Sequence, residues 1–299
     1  LAVKTNQPTT SHPAGASVSF GPGQGGLARL DVLTPWSRAE IYTHGAQVTH
    51  FQKHGEPPLV FLSEASRFEP GQPIRGGIPL VFPWFGPREG LPAHGFARLS
   101  EWLLDRVALT PDGACRLEFR LPRLREWTAE RPYAAEYHVT VGADLRLDLR
   151  VVNESPRLPF EFEACLHTYF TIGDIHAVRV GGLQGAHYLD ALENHASRKA
   201  TAEFISISAE VDRLYVGTDA AVTIHDPSLK RRILVTKEGG RSTVVWNPWI
   251  AKAKRLSDFG DEEYQHMLCV ESGTIGPDRI ELPPGGEHTL RVTLASAPA

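Results

Sequence analysis

The chain has 299 residues, 41 % of them apolar and 22 % charged, with 31 Lys+Arg against 35 Asp+Glu for a formal charge of −4. That balance excludes intrinsic disorder and a broad basic field for nucleic acid, and no stretch approaches the roughly 18 apolar residues of a membrane span. Gly 27 and Pro 23 punctuate the chain too often for a helical protein and suit many short strands joined by turns.

Residues 1–26 are rich in Pro, Gly, Ser and Thr, lack the apolar run of a secretion signal, and read as a flexible arm. The glycines at 21–26 match a dinucleotide pattern only superficially. They precede the first expected strand, at 27–33, instead of following one, and no helix comes after them. From 27 to 299 the chain reads as a single antiparallel domain, most simply two packed sheets. A possible boundary at 153–159 is flanked closely by apolar strands and has no linker character. His50 and His54 share neither a clear helix nor nearby cysteines. Cys115, Cys165 and Cys269 are too few and too far apart for a disulfide framework or a zinc spacing. The expectation is therefore a reducing, cytoplasmic setting and no metal site.

The first segment with chemical character is 75–86. There Arg75 precedes Gly76 and Gly77, so backbone can approach a ligand beside a fixed guanidinium fork. Pro79 and Pro83 restrict the apolar residues around them to a sheet edge or pocket wall. A tight turn followed by core packing accounts for the segment equally well. At 91–98, His94 and Arg98 would share a face on a strand and could bind an oxyanion, or could simply sit on a surface loop. Strands follow. Cys115, Leu117, Phe119 and Leu121 alternate with charged residues, as do Tyr137, Val139 and Val141, and then Leu145, Leu147, Leu149 and Val151.

In 159–170, Phe160, Phe162, Ala164 and Leu166 make an apolar face, while Glu161, Glu163, Cys165, His167 and Tyr169 occupy the other. Ionisable groups in such a strand are costly unless hydrogen-bonded or used, and histidine exchanges protons near neutral pH, though a structural His167 anchored between Tyr169 and a backbone carbonyl accounts for the segment as well. Asp212 could hold ligand hydroxyls or pair locally with Arg213. Asn247, Pro248, Ile250, Ala253 and Leu256 predict one short helix ending before Gly260, with the indoles of Trp246 and Trp249 at its start. In 267–273, Glu271 shares the Met267/Cys269 face, where partial desolvation would raise its pKa toward that of a general base, or it faces an outer rim as a solvated charge. Leu290, Val292 and Leu294 close the chain as another strand. Walker A, His-Glu-x-x-His and Gly-x-Ser-x-Gly patterns are absent.

Taken in order, 75–86, 91–98, 166–170, 212–215, 246–249 and 267–273 resemble the glucose-6-phosphate 1-epimerases, or D-hexose-6-phosphate mutarotases, of the aldose 1-epimerase superfamily. The resemblance covers roughly residues 27 to 298. It implies an all-β, antiparallel β-sandwich of the galactose-mutarotase-like kind that interconverts α and β anomers of a hexose 6-phosphate without a cofactor. It also implies His167 as catalytic acid, Glu271 as catalytic base, Arg75 and Arg98 around the phosphorylated sugar, His94 in the pocket and Asp212 on the substrate. The expected partner is a small phosphorylated hexose, with the protein a monomer or weak homodimer. Ala93 departs from the pattern, because related enzymes often carry glutamine there, and an amide contact to substrate is lost. An epimerase of free aldoses and a non-catalytic sugar-phosphate binder are the competing readings.

Overall fold

The alternating runs form strands in the computed structural model, which describes residues 10–11, 15–123 and 132–299. Cys115–Arg120, Tyr133–Val141, Leu145–Asn153 and Glu287–Pro298 lie side by side and antiparallel within a nine-stranded sheet. Their apolar positions, among them Leu117, Val139, Leu147 and Val292, are buried. Asp148, expected on the wet face, is also buried: Arg291 Nε donates to its carboxylate at 2.7 Å. The 153–159 stretch is tied down. Asn153 Nδ2 donates to the carbonyls of Leu158, Leu282 and Pro283.

A second, eight-stranded sheet carries the chemically distinctive segments. Its order runs Ala196–Lys199, His187–Asp190, Val211–Val216, Ser242–Asn247, Met267–Thr274, Ala164–Leu166 and Leu80–Val81, with Tyr169–Thr171 also pairing to Met267–Thr274. Strand alternation divides its side chains between two cores. Leu80, Leu166, Phe170, Val245, Leu268 and Val270 join the large core shared with the nine-stranded sheet. Val81, Cys165, Tyr169, Val244, Trp246, Met267 and Cys269 pack together on the opposite face. A fully buried Leu or Val contributes about 1.5–3 kcal/mol. A one-residue slip of Met267–Thr274 would exchange the faces and drive Glu271 into the apolar core, so its register is strongly specified.

Three expectations need correction. Residues 17–22 are not part of a flexible arm: Ser17–Pro22 pairs with Ala28–Leu33 in a five-stranded meander, since its glycine and proline fall at the strand's end. Thr10–Ser11 pairs with Ser17–Pro22 in turn and Gln24–Gly26 forms a tight turn, while 1–9 and 12–14 lie outside the described residues. The helix spans only Trp249–Ala253 and leaves Ile250 exposed. Asn247 does accept from Trp249 N at 2.9 Å, the expected capping bond, and its Nδ2 also donates to the carbonyls of Tyr264 and Met267. Two sheets also understate the architecture, because the meander and the ribbon Phe160–Phe162/Ile280–Leu282 accompany the large pair. No helix among the described residues is long and apolar enough to cross a membrane.

Candidate functional site

The segment 75–79 reaches the His167 strand through backbone pairing. Tyr169 N donates to Gly77 O at 2.9 Å and His167 N to Pro79 O at 3.0 Å. Gly77 has φ +61°, and a Cβ there would lie 2.2 Å from Val48 O, so this crossing requires glycine. Leu80–Val81 forms the sheet edge that the flanking prolines foretold. Glu163 locks the next turn in place, accepting from Phe85 N at 2.9 Å and from Gly276 N at 2.7 Å. Gly95, at φ +72°, performs the same service for His94, since a Cβ there would meet Phe82 O at 2.0 Å.

These constraints surround a cavity of about 570 Å³, lined among others by Arg75, His94, His167, Tyr169, Asp212, Trp246, Lys252 and Glu271. On its floor His167 Nε2 lies 3.3 Å from Glu271 Oε1, bringing together residues from Met267–Thr274 and from the break after Ala164–Leu166. Cys165 Sγ donates to the other carboxylate oxygen at 3.4 Å. The imidazole stacks on Tyr169 (ring centroids 4.8 Å, interplanar angle 10°) and meets the edges of Trp246 and His94. Its Nδ1 is buried without a hydrogen-bond partner among the described residues.

Burial, and then His94, Arg98 and Arg75, push His167 well below the ordinary histidine range. Burial raises Glu271 well above the ordinary carboxylate range, against the hydrogen bond from Cys165. Both shifts act in the same sense: burial favours a neutral imidazole beside a neutral carboxyl over a separated ion pair. His94 is driven down to about 3 by burial and by the charges of Arg98 and Arg75, and stays neutral throughout the physiological range. Its Nδ1 accepts from Gly86 N at 3.3 Å.

The two arginines differ in placement. Arg75 lines the cavity, donating from Nη1 to Tyr169 Oη at 3.1 Å and pairing through Nη2 with Asp258 at 3.1 Å. Tyr169, and then Asp258, hold it firmly charged. Arg98 is not among the lining residues. Its Nη2 donates to Ala93 O at 2.9 Å, and burial lowers it to about 10, which leaves it a cation at neutral pH. Both Nε groups are buried with no acceptor among the described residues.

Asp212 lines the far side of the cavity, and its partner is not Arg213, which turns to Asp190 at 3.2 Å. Lys252 Nζ sits 3.5 Å from Asp212, 3.1 Å from Glu210 and 5.7 Å from the centre of the Trp246 ring. Burial raises the Asp212 pKa and Lys252 opposes the rise. Lys252 and Asp258 escaped the sequence reading because nothing in their local pattern marks them; Lys252 sits in the last turn of the short helix, Asp258 follows it, and both meet their partners only in three dimensions. His167, Cys269 and Glu271 also bring one potential ligand atom each within 4.8 Å of one another, a grouping that spacing along the chain conceals.

A buried acid–imidazole pair beside an indole and a fixed guanidinium is suited to moving one proton onto and another off a polar ligand. Comparison with known proteins gives this chemistry a context. The family model described as "Aldose 1-epimerase" matches residues 35–295. A protein of Cenchrus ciliaris named "Putative glucose-6-phosphate 1-epimerase" is 37 % identical over 270 residues, covering 87 % of this chain and 82 % of that protein. One of the same name from Escherichia coli is 33 % identical over 253 residues, covering 82 % of this chain and 84 % of that protein. A crystal structure described as a "putative mutarotase" from Salmonella typhimurium superposes with TM-score 0.86 at 27 % identity, covering 98 % of this chain and 97 % of that one.

Proposed function

The chain belongs to the aldose 1-epimerase family, and from that premise we propose that it interconverts the α and β anomers of a D-hexose 6-phosphate, chiefly glucose 6-phosphate. The observation that carries the reading is the His167–Glu271 pair, 3.3 Å apart on the floor of a cavity that Arg75 also lines. Anomer exchange opens the pyranose ring, rotates C1–C2 and closes the ring on the other carbonyl face. Opening requires O5 to gain a proton while O1 loses one. His167 gives its proton to O5 and Glu271 takes the proton of O1, with the roles reversed on closure.

Proton bookkeeping links the free protein to the reaction. The neutral pair of the free protein is the state that ring opening produces: imidazole without its proton, carboxyl with it. A phosphoryl dianion beside Arg75 opposes the arginine share of what lowers His167, a shift whose largest cause is burial. Its arrival thus draws the proton from Glu271 to His167 and arms the pair for opening. Asp212 orients hydroxyls, and neither a redox carrier nor a metal enters the steps as written. The relatives' names and the Arg75 guanidinium on the cavity lining support the phosphorylated substrate.

One observation favours a second reading, an epimerase of free aldoses. Arg75 is already paired with Asp258, and Arg98 donates to Ala93 O from outside the cavity lining. The test follows pure α-glucose 6-phosphate to equilibrium by polarimetry, with spontaneous mutarotation subtracted, beside the same experiment on α-glucose. The first reading expects clear preference for the phosphorylated sugar; equal or greater turnover of free glucose selects the second. No acceleration of either sugar rejects both.

A further inference from the structure

The buried thiol of Cys269 has no part in the acid–base steps, yet it lies on the same strand face as Glu271, two residues away, and opposite Tyr169 and Trp246 in the sheet. Its sulfur, a ring nitrogen of His167 and a carboxylate oxygen of Glu271 all fall within 4.8 Å of one another. We infer that these three side chains form a binding site for a soft divalent cation, zinc in the first instance, whose occupation and the acid–base use of the same pair exclude each other.

The donor set argues for the class of metal. One thiolate, one imidazole and one carboxylate match zinc, whereas magnesium and calcium prefer oxygen donors throughout. Zinc bonds of about 2.0–2.3 Å place tetrahedral ligand atoms about 3.3–3.7 Å apart. His167 and Glu271 already meet that spacing at 3.3 Å. The thiol therefore closes by about an ångström at most. His167 and Glu271 open onto the cavity, which gives the ion a path and a fourth position for water. Coordination takes the proton from the thiol and the proton the pair holds, both passing to solvent, and leaves two anionic ligands around the dication. Arg75, a cation lining the same cavity, opposes a dication, so reversible occupation is expected rather than a permanent structural centre.

The inhibitory half of the inference rests on the proposed anomer exchange; the binding half does not. Cobalt(II), added to chelator-dialysed full-length protein, reads binding alone. The expected result is a saturable thiolate-to-cobalt charge-transfer band at one ion per chain, displaced by zinc. The band should survive in Cys165→Ser and vanish in Cys269→Ser, with circular dichroism establishing that each variant is folded. Zinc should inhibit anomer exchange competitively with sugar phosphate, and C269S should need at least about tenfold more zinc for half-inhibition relative to its own metal-free rate. Absence of a band in the wild type, or its persistence in C269S, overturns the site. A band without zinc inhibition in an active protein overturns the exclusion, while a band in a protein that exchanges no anomers leaves the site standing and rejects the epimerase reading.

Discussion

Glu271→Gln should slow anomer exchange of glucose 6-phosphate by about 100- to 10,000-fold while leaving the protein folded. The amide has the shape of the acid and retains hydrogen-bonding groups toward His167 and Cys165, whose contacts are 3.3 and 3.4 Å. It cannot take the proton of O1. Because the carboxyl is almost fully buried and raised well above its ordinary pKa, stability should hold or rise when its ionisation is removed. Exchange measured by one-dimensional NMR, with thermal unfolding as control, separates these effects; a folded variant as fast as wild type removes Glu271 from the mechanism. The pH profile adds a signed check. The working pair carries one proton, so kcat/KM falls where a second proton arrives on His167, well below pH 6.5, and where the one proton is lost. Free glucose isolates that acid limb, since a phosphoryl group titrates by itself near about 6.

Arg75→Met should cut the preference for phosphorylated over free hexose by about 10- to 150-fold, the equivalent of the 1.5–3 kcal/mol carried by a hydrogen bond to a charged group. The loss should appear in kcat/KM for glucose 6-phosphate, with glucose changing little. Arg75 also braces Tyr169, the ring on which His167 stacks, so a purely structural role would lower both substrates together. That outcome would assign the guanidinium to support of the imidazole. Asp258→Asn distinguishes the two further: releasing Arg75 from its 3.1 Å ion pair should strengthen phosphate preference if the guanidinium meets the phosphoryl group.

Much of this could be read along the chain, for reasons that concern side chains more than backbone. Period-two alternation located Cys115–Arg120 and Leu145–Asn153 because each strand buries one face in the shared core. His167 and Glu271 stood out because ionisable groups on otherwise apolar strands are costly to bury without a purpose. Alternation places Cys269 on the same face but says nothing about His167 arriving from another strand. The polarity of a residue carries no record of its distant partner: Arg75 offered no sign of Asp258, Asp212 offered none of Lys252, and Arg98 none of its turn toward Ala93 O. Ser17–Pro22 was hidden by its glycine and proline, whose turn character outweighed the valine and phenylalanine between them.

A crystal structure of the Glu271→Gln protein soaked with glucose 6-phosphate tests the central claim most directly, because the variant should hold the closed ring without converting it. The expected complex has O5 within hydrogen-bonding reach of His167 Nε2, O1 against the Gln side chain, and the phosphoryl group on Arg75. A sugar ring seated away from His167, or a phosphoryl group held by Lys252 on the opposite wall, would contradict it.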